Sequence, residues 1–217
     1  MDAPEEAAPP GWAFERRLWA AGHAAVAGID EAGRGALAGP IVAAAVVLPY
    51  GPHPYRDSKT VTARRRVAWA ASIRATAIAW GVGFVDAADV DALGVPDATR
   101  EAARRALAAF PRPPTALVTD HLTLPGPWTV LAPPRADGAS LQAAAASVLA
   151  KTARDRWMAE VAEARWPAYG FARHKGYGVA AHLEALRTHG PCEVHRRRFA
   201  PVARMPPFSG AESGRGA

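Results

Sequence analysis

The spacing of hydrophobic residues changes several times along the chain, which predicts strands alternating with helices. Apolar runs bounded by turn residues occur at 26–30, 41–49, 76–85, 115–120 and 128–133. Runs of this length, rich in Val, Ile and Ala, are typical of buried strands. The pattern therefore predicts five strands.

Segments with the spacing of amphipathic helices separate and follow these strands. They cover residues 11–21, 62–75, 86–95 (a short helix and turn), 96–110, 139–165 and 179–190. Thr62 is a suitable N-cap, Pro96 stands at the start of its helix, and Gly190 ends the last one. Because strands come first and helices follow, we expect an α/β fold with a mixed sheet and a helical C-terminal part.

The longest predicted helix carries apolar residues at every fourth position. They are Leu141, Ala145, Leu149, Ala153, Trp157 and Val161. This spacing predicts one buried stripe along the helix, with Lys151 and Arg154 lying off it.

Composition indicates one domain over residues 11–203, with an acidic, proline-rich and disordered tail at 1–10 and a flexible tail at 204–217. The single cysteine, Cys192, cannot form an internal disulfide, which fits a reducing compartment. The chain has no apolar run of membrane-spanning length and no basic-then-apolar leader. We therefore expect a cytoplasmic protein.

The formal net charge of +6 favours a polyanionic partner, although ordinary solubility charge explains it equally well. There are 23 arginines but only three lysines, Lys59, Lys151 and Lys175. A bias of this kind suggests that lysine is kept where a compact ammonium group is needed. Chance placement of three residues is the alternative.

Four acidic residues stand at the ends of predicted elements: Asp30, Glu31, Asp120 and Asp137. Two carboxylates about 4 Å apart repel by ~4 kcal/mol at an effective dielectric of 20, so a cluster needs protons or cations. Mg²⁺ or Mn²⁺ would supply that charge, although any one of these acids alone could be a turn cap or surface charge. Neighbouring strand residues point to opposite faces, so Asp30 and Glu31 share a site only if the strand ends or bulges there.

Two glycine-flanked residues suggest contact with a ligand. Arg34 lies between Gly33 and Gly35, and Tyr177 lies in "KGYG". Glycine allows backbone to approach a ligand closely, and arginine pairs with phosphate through two parallel hydrogen bonds. A simple tight turn is the alternative reading of each.

Several blocks together resemble the ribonuclease HII, or type 2 ribonuclease H, family over roughly residues 12–204. They are "GIDEAGRG" (28–35), "DSK" (57–59), "AAAASVLAKTARDRWM" (143–158), "YGFARHKGYG" (169–178) and "HGPCEVHRRRFAPV" (189–202). The resemblance implies a ribonuclease H-like fold and an endonuclease that cuts the RNA strand of RNA–DNA hybrids. It also implies incision 5′ of single ribonucleotides in duplex DNA, leaving 5′-phosphate and 3′-hydroxyl ends, and it makes residues 11–203 the catalytic domain.

By the same resemblance, Asp30, Glu31, Asp120 and Asp137 are the catalytic ligands of two Mg²⁺ or Mn²⁺ ions. Residues Gly33, Arg34 and Gly35 contact the ribonucleotide, and Tyr177 packs on the sugar of the next deoxynucleotide. Residues Lys59, Ser147, Lys151 and Lys175 are expected to follow the phosphates. For Lys151 the alternative is an ion pair with Asp155, four residues further along the helix.

Two positions depart from the family pattern: His121 follows Asp120 where the family commonly has glycine, and Ala36 replaces a frequent proline. His121 could narrow access or shift the pH dependence. His174 and His195 are expected to contact phosphate or pack in the core, since no zinc-binding spacing exists.

The substrate is expected to be an RNA–DNA hybrid or ribonucleotide-containing duplex, cut by a monomer. The alternatives are a non-catalytic basic nucleic-acid-binding protein and a DNA nuclease of the same fold.

Overall fold

The computed structural model describes residues 9–205. The strands are β1 (Val26–Ala32), β2 (Ile41–Val47), β3 (Ala79–Val85), β4 (Ala116–Thr119) and β5 (Thr129–Leu131). The helices are α1 (Ala13–Ala20), α2 (Ala63–Thr76), α3 (Ala87–Leu93), α4 (Val95–Ala108), α5 (Ala136–Ala139), α6 (Leu141–Trp157), α7 (Glu163–Arg165), α8 (Phe171–His174), α9 (Ala180–His189) and α10 (Ala200–Ala203). Short 3₁₀ turns cover Ser58–Thr60 and Pro167–Tyr169.

The five strands form one mixed sheet in the order β3-β2-β1-β4-β5. The strand β1 pairs antiparallel with β2 and parallel with β4, and β2–β3 is antiparallel while β4–β5 is parallel. The predicted α/β class and the mixed five-stranded sheet are thus confirmed. The sheet places the carboxyl ends of β1 and β4 side by side at one edge.

Helices cover both faces of the sheet, and small residues set how closely they approach. A Cβ on Gly28 of β1 would lie 2.2 Å from the backbone carbon of Gln142 in α6. On the opposite face, a Cβ on Gly83 of β3 would lie 2.1 Å from the carbonyl oxygen of Ala102 in α4. Packing this close brings the start of α6 directly against β1, where the acidic residues lie.

Buried polar contacts fix the start of α6. The Ser140 hydroxyl accepts from the Ala143 amide at 3.0 Å and donates to the buried Glu15 carboxylate. The Gln142 side chain accepts from the Leu48 amide and donates to the Val26 carbonyl, both at 2.9 Å. These contacts tie α6 to α1 and to the first two strands, which holds the neighbouring α5 in place.

The long predicted helix forms, but its buried stripe does not run its whole length. After α6 the helix widens into a π-helical turn at Met158–Ala162 before α7. Side chains four residues apart also drift by about 40° per step around an α-helix, so the stripe rotates out of the core. Val161 is 41% exposed, whereas Met158 is fully buried.

The stripe prediction was also wrong about Arg154, whose side chain is fully buried.

A separate apolar core holds the C-terminal part of the chain. It combines residues of the segment after β1 with the π-helical turn and the last helices, including Leu37, Met158, Tyr169, Phe171 and Leu186. The pattern of the sequence did not show the short helices α8 and α10, because four-residue elements carry too little periodicity to detect.

Element boundaries differ from prediction by a few residues. The strand β1 continues to Ala32 instead of ending at Asp30, and β3 begins at Ala79 because α2 continues to Thr76. Thr62 caps α2 as expected, accepting from the Arg65 amide. The predicted tails at 1–10 and 204–217 lie largely outside the described residues, and the domain limits stay predictions.

Candidate active site

Asp30 and Asp120 lie next to each other because two parallel strands are in register. Ile29 of β1 pairs with Thr119, the last residue of β4, so the next residue on each strand is an aspartate. Neighbouring strands lie roughly 4.8 Å apart. Asp30 is 5% exposed and shares its sheet face with Gly28, which faces α6. The fold therefore brings together two residues separated by 90 positions.

Glu31 approaches the site from the opposite side of β1. The strand stays paired through Ala32, so the expected strand end at Asp30 is wrong and the alternation of side chains continues. One oxygen of Glu31 accepts a hydrogen bond from Arg34 at 3.1 Å. The other, Oε2, is buried and has no hydrogen-bond partner within residues 9–205. A buried carboxylate oxygen without a donor is a candidate ligand for a cation.

Asp137 reaches the site from α5, the short helix just before α6. It is 4% exposed, and its Oδ2 lies 3.4 Å from Nζ of Lys59. The same short helix contacts Asp120, whose Oδ1 accepts from the Ala136 amide at 3.4 Å. The helix α5 therefore links the third and fourth predicted acids.

A fifth carboxylate, Asp57, belongs to the same electrostatic environment and was missed. It caps the 3₁₀ turn by accepting from the Lys59 amide at 2.9 Å. Its charge also raises the pKa of Asp137. The signal was present in the sequence, since Asp57 begins the "DSK" block in which only the lysine was singled out.

Burial raises the pKa of three of the four predicted acids. For Asp30 the charge of Glu31 adds to that rise and the neighbouring Ser147 hydroxyl opposes it, leaving the pKa well above its ordinary value. For Glu31, burial raises the pKa against the opposing charge of Arg34. For Asp137, burial and Asp57 raise the pKa while Lys59 opposes them. The site therefore concentrates negative charge that its own cations neutralise only in part.

The donor set fits a hard divalent cation. Among residues 9–205, no group of three or more His, Cys, Asp or Glu side chains is arranged to hold a metal ion. The four acids act on one another electrostatically, and their convergence around an ion stays a prediction. The chemistry nonetheless suits Mg²⁺ or Mn²⁺, because all donors are oxygens and Glu31 Oε2 has no partner. Arg34 and Lys59 act as counter-charges to Glu31 and Asp137.

The side chain of Arg154 packs against the segment 33–35, which we call the GRG turn. A Cβ on Gly33, whose φ is +96°, would lie 2.1 Å from Nε of Arg154. Arg154 donates to the carbonyls of Pro40 at 2.9 Å and Ala38 at 3.1 Å. Arg34 itself is exposed, with about half of its side chain accessible. The turn therefore presents a half-exposed guanidinium, paired with Glu31, on a backbone that is held in place.

A second buried arginine, Arg196, holds the same segment from the C-terminal side. It is fully buried, donates to the Arg34 carbonyl at 3.0 Å, and makes two hydrogen bonds to the Gly39 carbonyl. Burial, together with the charge of Arg154, lowers the pKa of Arg196 to about 9. Sequence reasoning missed both arginines, because 23 arginines gave no ground for selecting two.

Tyr177 lies in residues 174–178, which we call the Tyr177 turn. Its ring centroid is 5.2 Å from the guanidinium of Arg154 and 5.6 Å from Nζ of Lys151. The carbonyl of Gly176 accepts from the amides of Leu37, at 2.8 Å, and Ala38. The Tyr177 turn and the segment after the GRG turn are therefore hydrogen-bonded to each other, and Arg154 contacts both.

The remaining predicted phosphate contacts have partners within the protein. Ser147 is 2% exposed and donates to the Ser58 hydroxyl at 2.8 Å. Lys151 pairs with Asp155 at 2.6 Å, the alternative that its spacing indicated. Lys175 donates to the carbonyl of Ala172. Of the three lysines, Lys59 is the most exposed, with 72% of its side chain accessible.

Three histidines behave as structural residues or as surface residues. His174 and His195 pack among aromatic side chains, so the packing alternative describes them. His121 is exposed and has a φ of +52°. That left-handed conformation favours glycine, which gives a physical reason for the family preference.

Two solved structures superpose on this fold. A ribonuclease H2 from Pyrococcus horikoshii superposes with a TM-score of 0.66 at 23% identity, covering 82% of this chain and 95% of that one. A ribonuclease HII from Archaeoglobus fulgidus, solved in complex with PCNA, gives 0.64 at 24% identity, covering 82% and 94%. At these identities the likeness shows the ribonuclease H-like fold.

The sequence itself shows the family. The family model Ribonuclease HII matches residues 27–202. A ribonuclease HII from Thermus thermophilus is 56% identical over 181 residues, covering 83% of this chain and 89% of the relative. One from Geobacillus kaustophilus is 49% identical over 191 residues, covering 87% and 73%.

The chain belongs to the ribonuclease HII family. It is a hydrolytic endonuclease of the ribonuclease H type that acts on RNA-containing nucleic acids. Family membership sets aside the non-catalytic alternative. Within residues 9–205, none of the helices has the length and hydrophobicity needed to cross a bilayer.

Proposed function

We propose that this enzyme incises duplex DNA on the 5′ side of a single embedded ribonucleotide, and also hydrolyses the RNA strand of RNA–DNA hybrids. The products carry 5′-phosphate and 3′-hydroxyl ends. The observation that carries this proposal is the joining of two turns beside the acidic site. The GRG turn and the Tyr177 turn are connected through Gly176, Leu37 and Ala38, and Arg154 contacts both.

This arrangement suits a junction between a ribonucleotide and a deoxynucleotide. The GRG turn offers backbone close to a ligand and the exposed Arg34 guanidinium, which can pair with a phosphate. The Tyr177 ring is half-buried, and its cationic neighbours hold it against the protein. A 2′-hydroxyl is the group that distinguishes RNA from DNA at such a site. We therefore assign the ribonucleotide to the GRG turn and the following sugar to Tyr177.

We further propose that Asp30, Glu31, Asp120 and Asp137 hold two divalent cations, Mg²⁺ or Mn²⁺. Ions bound there would activate a water and stabilise the leaving 3′-oxygen. The oxygen-only donor set, the raised pKa values of Asp30, Glu31 and Asp137, and the unpartnered Glu31 Oε2 support this assignment. One fold neighbour, Bst-RNase HIII, was solved in complex with Mn²⁺.

The carboxylates have a second role that does not depend on the identity of the ion. Arg34 and Lys59 neutralise part of the acidic charge through Glu31 and Asp137. A cation bound there would take over this neutralisation and leave Arg34 and Lys59 able to pair with the phosphates of the substrate. Lys59 is already 72% exposed, so it needs little rearrangement. A monomer acting in the cytoplasm stays our prediction.

The decisive experiment uses a labelled duplex that contains one ribonucleotide, with either Mg²⁺ or Mn²⁺. We expect a single cut 5′ of the ribonucleotide and no cut in the matched all-DNA duplex. Asp120→Asn should abolish cleavage but keep binding, measured by anisotropy. The control Asp97→Asn changes an exposed acid on α4 that pairs with Arg100, and should cleave normally. An intact one-ribonucleotide duplex with both metals would overturn the proposal.

A further inference from the structure

Two buried imidazoles form a hydrogen-bonded chain behind the Tyr177 turn. His182 of α9 and His195 of the C-terminal segment are 0% and 2% exposed, and their Nε2 atoms lie 3.0 Å apart. His182 Nδ1 lies 2.9 Å from the carbonyl oxygen of Tyr177. At the other end, His195 Nδ1 lies 3.0 Å from the amide nitrogen of Cys192. The chain thus joins the backbone of Cys192 to the backbone of Tyr177.

The partners at the two ends fix the proton on every ring nitrogen. The Tyr177 carbonyl can only accept, so His182 Nδ1 carries the proton and donates. A neutral imidazole has one N–H, so His182 Nε2 must accept from the Nε2–H of His195. His195 Nδ1 is then free to accept from the Cys192 amide. Every hydrogen bond in the chain points the same way, toward Tyr177.

The chain requires both rings to be neutral. A proton added to His182 would place an N–H on each of the two facing Nε2 atoms. A proton added to His195 would place an N–H against the Cys192 amide. Burial lowers the pKa of His182 to about 4 and the pKa of His195 to about 3, so neither ring is charged near neutral pH.

A third histidine, His174, also hydrogen-bonds to the Tyr177 turn. The ring of His174 stacks on His182 with centroids 4.4 Å apart. Its Nδ1 accepts from the Gly176 amide at 3.2 Å, and its Nε2 donates to the Tyr169 carbonyl at 2.8 Å. The residue before Tyr177 is therefore held by the half-buried imidazole of His174, and the carbonyl of Tyr177 by the buried imidazole of His182.

We propose that His182 is a positioning residue for Tyr177, held in its proton-donating state by His195. This inference rests on the proposed function, because it takes Tyr177 as the residue that recognises the junction. The Tyr177 carbonyl also accepts from the Val179 amide at 2.8 Å, so the turn can form without His182. The contribution of His182 is to fix the tilt of the peptide, and with it the ring that contacts the substrate.

The test compares His182→Ala with His182→Asn, because the asparagine amide can replace the Nδ1–H donor but cannot reach His195. We expect His182→Ala to lower kcat/KM on the one-ribonucleotide duplex by roughly 10- to 100-fold, the range for a misplaced substrate contact. The loss should be smaller on a long RNA–DNA hybrid, and His182→Asn should restore most of the activity. The control Thr188→Ala changes an exposed residue near the end of the same helix, and should have no effect.

A double-mutant cycle with Tyr177→Ala separates the possible failures. We expect His182→Ala to add nothing once Tyr177 is alanine, because both changes remove the same contact. If Tyr177→Ala leaves selectivity unchanged, the proposed function of Tyr177 is wrong. If Tyr177→Ala reduces selectivity but a folded His182→Ala does not, the positioning role is overturned.

Melting temperatures identify a purely structural role. The proposal would be contradicted if His182→Ala and His182→Asn both lost kcat/KM equally on the two substrates and both melted at a lower temperature. If His182→Ala does not fold, His182→Asn decides alone: retained selectivity supports positioning, and lost selectivity in a folded variant refutes it.

Discussion

Replacing Gly33 with alanine should damage this enzyme far more than the same change at Gly35, two residues away. The new Cβ at position 33 would lie 2.1 Å from Arg154 Nε, 2.6 Å from Arg154 Cδ and 2.8 Å from the Pro40 carbonyl. The φ of +96° is also one that L-residues rarely adopt. At Gly35 the Cβ would meet open space.

The expected magnitude comes from two separate effects. An unfavourable backbone conformation costs roughly 1–3 kcal/mol. Displacing Arg154 weakens its hydrogen bonds to Pro40 and Ala38, each worth about 1.5–3 kcal/mol because the donor is charged. We expect Gly33→Ala to lower the free energy of unfolding by about 3–6 kcal/mol, and Gly35→Ala to lie within about 0.5 kcal/mol of wild type.

Urea unfolding monitored by circular dichroism measures this difference directly, and thermal unfolding gives a second reading. For a chain of this size each kcal/mol shifts the melting temperature by about 2–4 °C, so Gly33→Ala should melt roughly 6–24 °C lower. The displaced Arg154 also contacts Tyr177, so Gly33→Ala should lose selectivity for the one-ribonucleotide duplex. Equal melting temperatures for the two variants would refute the close approach of Arg154 to Gly33.

Three further predictions concern charge. Asp30→Asn should abolish cleavage yet raise the melting temperature of the metal-free protein, because it removes a buried charge that faces other acids. A lower melting temperature would contradict the repulsion between Asp30 and these acids. Mg²⁺ or Mn²⁺ should raise the melting temperature of wild type in proportion to the logarithm of the free metal concentration, and should leave that of Asp120→Asn unchanged. Equal increases in melting temperature for both proteins would place the ions elsewhere. Stability from the neutral imidazoles of His182 and His195 is complete above the ordinary pKa of 6.5. It declines as the pH falls toward the lowered pKa values, about 4 for His182 and about 3 for His195. Acidic groups with raised pKa oppose this trend, so the measurement is the difference in urea midpoint between wild type and His182→Asn as the pH is lowered from 6.5. A difference that stays constant with pH would contradict the neutral state assigned to His182.

The sequence allowed most of the fold to be predicted, because long regular elements have strong periodicity. The class, the strands and the cap at Thr62 follow from local patterns, and the errors lie at boundaries. The strand β1 runs two residues past Asp30 because Glu31 and Ala32 still pair with β2. The buried stripe of the long helix ended early because the π-helical turn changes which side chains face the core. Both outcomes depend on partners distant in sequence.

The candidate site was predictable in part, through motif blocks that mark acids at element ends. Asp30 and Asp120 were found in this way, but their adjacency follows from the parallel register of β1 and β4. Glu31 leaves β1 on the other face and Asp137 comes from α5, so the arrangement of the four acids depends on how these elements pack. No single-sequence pattern gives the register between strands 90 residues apart.

By itself, the sequence determined the residue types that this chemistry needs: oxygen ligands, glycines for close approach and an aromatic side chain at a turn. Only the tertiary structure decided which groups support them. Arg154, Arg196 and His182 look like ordinary surface-type residues in the sequence, yet each is buried behind a turn that we assign to the substrate. The physical reason is that a buried polar group is defined by its partners, and those partners come from distant segments that meet only when the chain has folded.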